Sequence, residues 1–441
     1  MSQPPMYLSH SPNMRYATGA LAYFAQGIPA GFMHIALPAW LAFSGVPAMQ
    51  IATFLAIITL PWACKLLIGP VMDHFEFLPM GKRRPWVLGA QLGMVGSFLA
   101  LAVIADPLSQ FGLLTAICFM VNVFTATQDV AVDGMSIDLV PLGEEGRLNA
   151  FMSFGKSAGW AATAAVTGSS LVVYGIPVTG QLCAAGTFSL FVLLALVRER
   201  KGERLFPWSR GEASPQNPRP PSFRTVFSDL NHILWTRASL VIATIMFFDG
   251  LVSGYGAALM PIAAINVFDF TPEQWANLNA VMGLTGAVLA LGLGPMIDMF
   301  GANRMMGLTI FLMVVHAFLL AGLQGLWTNN SYVLFMRSAW ILLLPVIMVC
   351  ALALALAMSI CAHAESATQF AIYMSIGNLG AAAGSMVFGA VADHTNWGQD
   401  YALRGLLAFM LLLAILLFRT QHHPEKLLEE EPQPTGSTPA R

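Results

Sequence analysis

Gly69-Pro70-Val71-Met72-Asp73 ends one long apolar run and leads into Gly81-Lys82-Arg83-Arg84. Gly294-Pro295-Met296-Ile297-Asp298 ends another, 225 residues later, and leads into Gly301-Ala302-Asn303-Arg304. Two further matches keep nearly the same register. Phe24-Ala25-Gln26-Gly27 with Leu37-Pro38 faces Phe247-Phe248-Asp249-Gly250 with Met260-Pro261 at an offset of 223. Met152-Ser153-Phe154-Gly155-Lys156 faces Met374-Ser375-Ile376-Gly377-Asn378 at an offset of 222. Collinear matches at one spacing imply a duplicated unit, and duplicated membrane units are a common construction of secondary transporters.

The composition agrees. The chain is 56% hydrophobic and 10% charged, whereas a soluble domain carries about 25% charged residues. So few charges cannot cover a water-facing surface, so the expected solvent is a lipid bilayer. The net charge of −2 points to no partner, and no nucleic-acid binding is expected. Cys64, Cys118, Cys183, Cys350 and Cys361 are scattered through apolar segments without a CxxC pair. They read as packing residues, and neither a metal nor a cofactor is expected. At about 20 apolar residues per crossing, spans are expected near 17–43, 48–71, 86–105, 110–138, 147–173, 180–197, 238–266, 274–298, 304–324, 332–361, 367–391 and 402–419. This describes an all-α membrane protein of twelve transmembrane helices, six plus six. The first span is too long for a signal-peptide core and is expected to be retained.

Lysine and arginine in short loops set the orientation. Lys82, Arg83, Arg84, Arg147, Arg304 and Arg419 follow even-numbered spans, while Ser44-Gly45-Val46-Pro47 and Tyr174-Gly175-Ile176-Pro177 carry no positive charge. Both termini are therefore expected in the cytoplasm. The units are an N-terminal bundle over 1–197, a basic cytoplasmic linker over 198–237, a C-terminal bundle over 238–419 and a disordered tail over 420–441. Ser214-Pro215-Gln216-Asn217-Pro218 within the linker suits an extended tether.

Polar groups inside lipid are functional candidates by default. Asn122, Asp129 and Asp133 share one face of span four, with Gln128 beside them. The stripe reads either as a cavity wall with a protonatable carboxylate or as polar packing between helices. Lys65 in span two needs a carboxylate, Asp133 or Asp129, and the pair is expected to be structural. Lys156 is expected to snorkel to the inner surface. Gln26 and Asp249 lie roughly 17–18 Å beyond Arg15 and Arg237, each followed by glycine. Glycine- and proline-interrupted helices in corresponding positions of two repeats point to a central site; close helix packing is the competing reading of the same glycines. His34 is a candidate lining residue further out, His316 reads as packing, and Arg337 marks the outer interface or meets an acidic solute. Gly155-Lys156-Ser157-Ala158-Gly159 spells G-x-S-x-G but lacks the strand-turn-helix context of a nucleophile elbow, so no enzyme is expected. No GxxxxGK[ST] motif supports an ATP-driven pump.

Gly69-x-x-x-Asp73 with Gly81-Lys82-Arg83-Arg84 resembles the loop signature of the major facilitator superfamily. Tyr23-Phe24-Ala25-Gln26-Gly27-Ile28-Pro29-Ala30-Gly31, Leu60-Pro61-Trp62-Ala63-Cys64-Lys65 and Ala126-Thr127-Gln128-Asp129-Val130-Ala131-Val132-Asp133 are similar to its peptide/acetyl-CoA/drug transporter branch, which includes AmpG-type muropeptide permeases. The resemblance implies import of a bulky peptide-like solute, muropeptide or oligopeptide, by proton symport and alternating access in a bacterial inner membrane. A siderophore importer of the same fold and a non-transporting membrane sensor are the alternatives. On this reading Gln26, His34, Gln128 and Asp249 contact a peptide or glycopeptide solute, and Asp129 or Asp249 carries the proton. Asp73, Arg83, Arg84 and Asp298 form the gate. The protein is expected to act as a monomer.

Overall fold

In a computed structural model, the structure describes residues 7–75, 78–141, 144–211, 235, 237–285, 302–326 and 366–421. These residues form helices and short turns, with no strand among them beyond the isolated bridge between Tyr7 and Arg198. Lipid cannot hydrogen-bond a bare backbone, so a crossing segment must satisfy its own amides and carbonyls. Span one opens at Ser11, whose side chain accepts from the Met14 amide at 3.4 Å, with Pro12 placed where no intrahelical donor is required. It continues as a helix over Pro12–Ala30, a π-helical stretch over Gly31–Ala36 and a second helix over Leu37–Phe43. Span two is two helices, Ala48–Ala63 and Lys65–His74, separated at Cys64 three residues after Pro61.

Spans three and four are Arg84–Ala100 and Phe111–Leu139. Spans five and six lie within Glu145–Ala195 and turn at Gly175, whose φ of 73° only glycine adopts without strain. Span seven is Arg237–Asn266, span eight starts as a helix over 272–285, and spans nine, eleven and twelve are Ala302–Gly322, Ser366–Ala392 and Trp397–Gln421. The rest of span eight, span ten, most of the linker and the tail lie outside the described residues, as do Asp298 and Arg337. Leu67, Val71, Leu92, Leu99, Phe311 and Leu319 are exposed on the bundle surface, where a soluble protein would place charge.

Two features depart from the sequence reading. Span seven, expected to be interrupted after Asp249, is one continuous helix. The glycines of spans one and seven serve packing instead. A Cβ at Gly27 would overlap the backbone of Trp160, and one at Gly31 would do the same. A Cβ at Gly250 or Gly254 would overlap the carbonyl oxygens of Gly377 and Ala381. Span one thus lies directly on span five, and span seven on span eleven, at a separation that excludes side chains. Span one does have an irregular stretch, which begins at the last of its glycines and runs over Gly31–Ala36.

The cores show how the halves meet. At the end carrying the loop Ser44–Pro47 one core joins both halves: Leu37, Leu41, Phe54 and Leu55 pack with Tyr255, Leu259, Ile262, Phe268 and Trp275. Ser169 Oγ donates to Glu273 Oε1 at 3.0 Å across the same end. At the opposite end the described cores are separate. Met72, Val87, Leu88, Leu148 and Leu194 belong to the first half; Ile242, Ile245, Met313, Leu411 and Ile415 belong to the second.

Candidate functional site

The polar face of span four turns toward spans one and two. Asn122 Nδ2 donates to the carbonyl of Ile58 at 2.6 Å, and Trp62 Nε1 donates to Asn122 Oδ1 at 3.3 Å. That carbonyl lies three residues before Pro61, and the asparagine ties the two spans together at the point where span two breaks. One turn or two further in, Lys65 Nζ donates to Asp129 and stands 3.9 Å from Asp133 Oδ2. Asp133 also accepts from the Tyr23 hydroxyl. The lysine therefore has both carboxylates, with Asp129 as its direct partner. Asp129 is buried, whereas the Asp133 side chain is 39% exposed and opens from the patch.

Gln26 is 1% exposed and lies against Asp129. Gln128, expected to contact solute, is fully buried with Nε2 donating to the carbonyl of Ala22 at 2.7 Å. It joins spans one and four, because its position on the helix turns it away from the stripe of Asp129 and Asp133. His34 falls in the π-helical stretch, a geometry common at functional positions, within Coulombic range of Lys156.

Lys156 does not snorkel. Its ammonium rests 5.2 Å from the centroid of the Trp62 ring and 5.8 Å from that of Tyr23. The glycines around it explain this: Gly155 and Gly159 are pressed onto the Ala20 and Phe24 carbonyls, so the lysine is directed along the seam between spans one and two. From the other half, Asn378 Nδ2 donates to the Trp62 carbonyl at 3.3 Å. Lys156 and Asn378 are counterparts in the internal repeat, and they meet around one tryptophan. The motif stretches of the sequence contain Tyr23 and Trp62, but neither was singled out; the repeat match was the signal that could have found Asn378. Asp249 is half-buried and has no ion-pair partner among the described residues. Buried Asp400 and Arg404 of span twelve were also missed; Asp400 precedes the expected start of that span at 402, and Arg404 lies within its first turn.

The expected gate is differently wired. Arg84 donates to backbone carbonyls of Ala195 at 2.5 Å, Leu205 at 2.8 Å and Arg204 at 3.1 Å, which docks the start of the linker onto span three. Its five-donor fork suits several carbonyls at once. Glu199 accepts from the amides of Lys82, Arg83 and Arg84 at 3.1, 2.8 and 2.6 Å, a carboxylate at a helix N-terminus. A Cβ at Gly81, where φ is 104°, would collide with this carboxylate. Arg83 Nε stands 3.5 Å from Asp138 Oδ2. The Asp73 side chain lies outside the described residues.

Burial raises the affinity of Glu199 for its proton, the neighbouring Glu203 adds to this, and the three amides oppose it. A carboxyl raised in the folded state contributes stability at low pH and loses it as pH rises through the raised value. Hydrogen exchange over residues 199–211 should therefore quicken as pH rises just above the ordinary glutamate range, after correction for intrinsic exchange, and Glu199→Gln should flatten that dependence. An unchanged pH profile in Glu199→Gln would assign the effect to another group.

The family model for the Major Facilitator Superfamily matches residues 18–363 and 242–440. The chain belongs to this superfamily and has its all-α fold; it is a membrane transporter and not an enzyme. The anhydromuropeptide permease of Escherichia coli (strain K12) is 26% identical over 123 residues, which cover 28% of this chain and 25% of the permease. The matched region spans about a third or less of the length of the curated relatives compared. Two solved structures share the fold across nearly the whole chain. A D-xylose-proton symporter is 14% identical with a TM-score of 0.68, covering 92% of this chain and 97% of the symporter. A POT family transporter in complex with 5-aminolevulinic acid is 11% identical with a TM-score of 0.67, covering 92% of this chain and 96% of that one.

Proposed function

We propose that this transporter imports a bulky peptide-like solute, a muropeptide or oligopeptide, by proton symport in a bacterial inner membrane, with both termini cytoplasmic. The observation that carries the reading is a pair of membrane-embedded carboxylates, Asp129 and Asp133, sharing Lys65 beside a seam where the two halves meet. Charged groups in lipid persist when they pair with each other or line a pathway; the pairing here is direct, and the seam between the halves would supply the pathway. Solute would bind between the halves near Gln26, Asp249 and Lys156. Protonation of Asp129 would release Lys65, giving the proton a direct effect on how spans two and four hold together. Asp249, with no cation beside it among the described residues, is the second candidate for the proton. With the basic loops inside, the end with the joint core would be the outer one. The likeness of 123 residues to the Escherichia coli anhydromuropeptide permease supports the choice of solute.

Proteoliposomes containing the protein and given an acid-outside gradient should accumulate labelled anhydromuropeptide, and a protonophore should stop this. Asp129→Asn should abolish uphill accumulation while counterflow stays measurable. Accumulation that ignores the gradient would overturn symport. Binding with neither accumulation nor counterflow would leave a sensor.

A further inference from the structure

The two lysines of the patch are in opposite situations. Lys65 touches Asp129 and stands beside Asp133. Lys156 has no carboxylate at ion-pair distance among the described residues, and its ammonium is held by the faces of Tyr23 and Trp62. Aromatic faces attract an ammonium and compensate part of its lost hydration, yet they accept none of its three hydrogens in strong bonds. Those donors remain available for an incoming acceptor. The position is also shared between the halves, because the Trp62 under the ammonium is bonded to Asn378 of span eleven.

We propose that Lys156, on its Tyr23–Trp62 seat, is the binding site for a carboxylate of the transported solute. This rests on the import reading above and narrows its solute class to anionic peptide-like molecules. The groups facing the seat are Tyr23 and His34 from span one, Lys65 from span two, Asp129 and Asp133 from span four and Asn378 from span eleven. With both lysines charged and both aspartates ionised, the empty patch is balanced. A bound carboxylate adds one negative charge, and a proton taken up on an oxygen of Asp129 or Asp133 restores the balance. Solute anion and proton would then load together, each lowering the cost of burying the other. Asn378 places the loaded site in contact with the second half, so occupancy is felt by the pair of spans that must part during the transport cycle.

The test uses purified protein in nanodiscs and two acid–amide pairs: N-acetyl-alanyl-alanine with its C-terminal amide, and N-acetylmuramic acid with its amide. A hydrogen bond to a charged partner outweighs a neutral one enough for roughly tenfold in affinity. Wild type should bind the acid of at least one pair about tenfold more tightly than its amide. Lys156→Gln should lose that preference and Lys156→Arg should keep it. Should Lys156→Gln fail to fold, the acid but not the amide should protect Lys156 of the wild type from an amine-acylating reagent. Wild type binding neither member of either pair, or both alike, would overturn the proposal, as would a preference that survives Lys156→Gln or an absence of protection. Anhydromuropeptide accumulation is scored separately. Its failure with the acid preference intact removes the import reading and leaves the anion seat; its success with no acid preference removes only the seat.

Discussion

Lys65→Met should destabilise the folded protein by about 3–5 kcal/mol, the usual cost of stranding one partner of a buried ion pair. The second replacement should then repair what the first damaged. Lys65 and Asp129 are both nearly inaccessible, with side-chain exposures of 9% and 5%, and they bond to each other directly. Removing the ammonium leaves Asp129 charged in a low-dielectric interior, where the lost attraction cannot be replaced by water. In Lys65→Met/Asp129→Leu neither charge remains, and apolar side chains of similar volume fill the space. Such replacements are often neutral or stabilising, so the double variant should recover most of the loss. Recovery should stop short of complete, because Asp133, 3.9 Å from the lysine, also loses its cation. Its exposure of 39% and its bond from Tyr23 soften that loss. Unfolding of the purified variants, read as a double-mutant cycle, measures the coupling. A double variant as unstable as the sum of the singles would show that the two residues do not act as a pair. Transport separates the roles: the double variant should fold yet fail to accumulate solute, since the repair restores packing and removes the ionisable groups.

The patch was partly legible in the sequence, and the limit has a physical cause. Lys65, Asp129 and Asp133 stand out because charge in an apolar run has one common explanation, pairing or function, and their membership of one half made a pair between them natural. Gln128 was assigned a solute contact because periodicity places it beside the stripe. Periodicity does not reveal that the step of about 100° from Asp129 aims the amide at the carbonyl of Ala22. Lys156 was read as snorkelling from its distance to the loop, a one-dimensional measure. Its direction is set by Gly155 and Gly159, whose contacts with Ala20 and Phe24 fix the rotation of span five. Tyr23 and Trp62 are ordinary residues in a membrane helix until a cation is found over them. The fold was more legible because duplication and apolar length survive many substitutions. Helix interruptions were misplaced: proline at 29 and glycine at 250 lie inside helices, while the π-helical stretch begins at Gly31.

Gly254→Leu should prevent the second half from packing, at a cost above about 3 kcal/mol, and even Gly254→Ala should be poorly tolerated. The reason lies in what a new side chain would meet. A Cβ at Gly254 overlaps the carbonyl oxygen and carbon of Ala381, and one at Gly250 overlaps Gly377. These are backbone atoms of a neighbouring helix, so no rotamer change relieves the overlap; spans seven and eleven must separate along their length. In a bilayer little hydrophobic force brings helices together, and close backbone approach through small residues is a principal source of association. The same device holds Gly27 and Gly31 against span five in the first half, at the repeat positions corresponding to Gly250 and Gly254. The repeat in the sequence is thus in part a repeated helix seam, and each half should depend on its own copy. Gly307 in span nine is the control: among the described residues, no heavy atom beyond its own stretch of helix lies within 4 Å of its added Cβ. Gly307→Ala should be neutral or stabilising by up to about 1 kcal/mol, because alanine favours a helix over glycine. Size-exclusion profiles and thermal unfolding of the three variants read the difference. A Gly254→Leu protein that elutes and melts like wild type would mean that spans seven and eleven do not meet at this seam, and the assignment of these glycines would return to the helix interruption that the sequence first suggested.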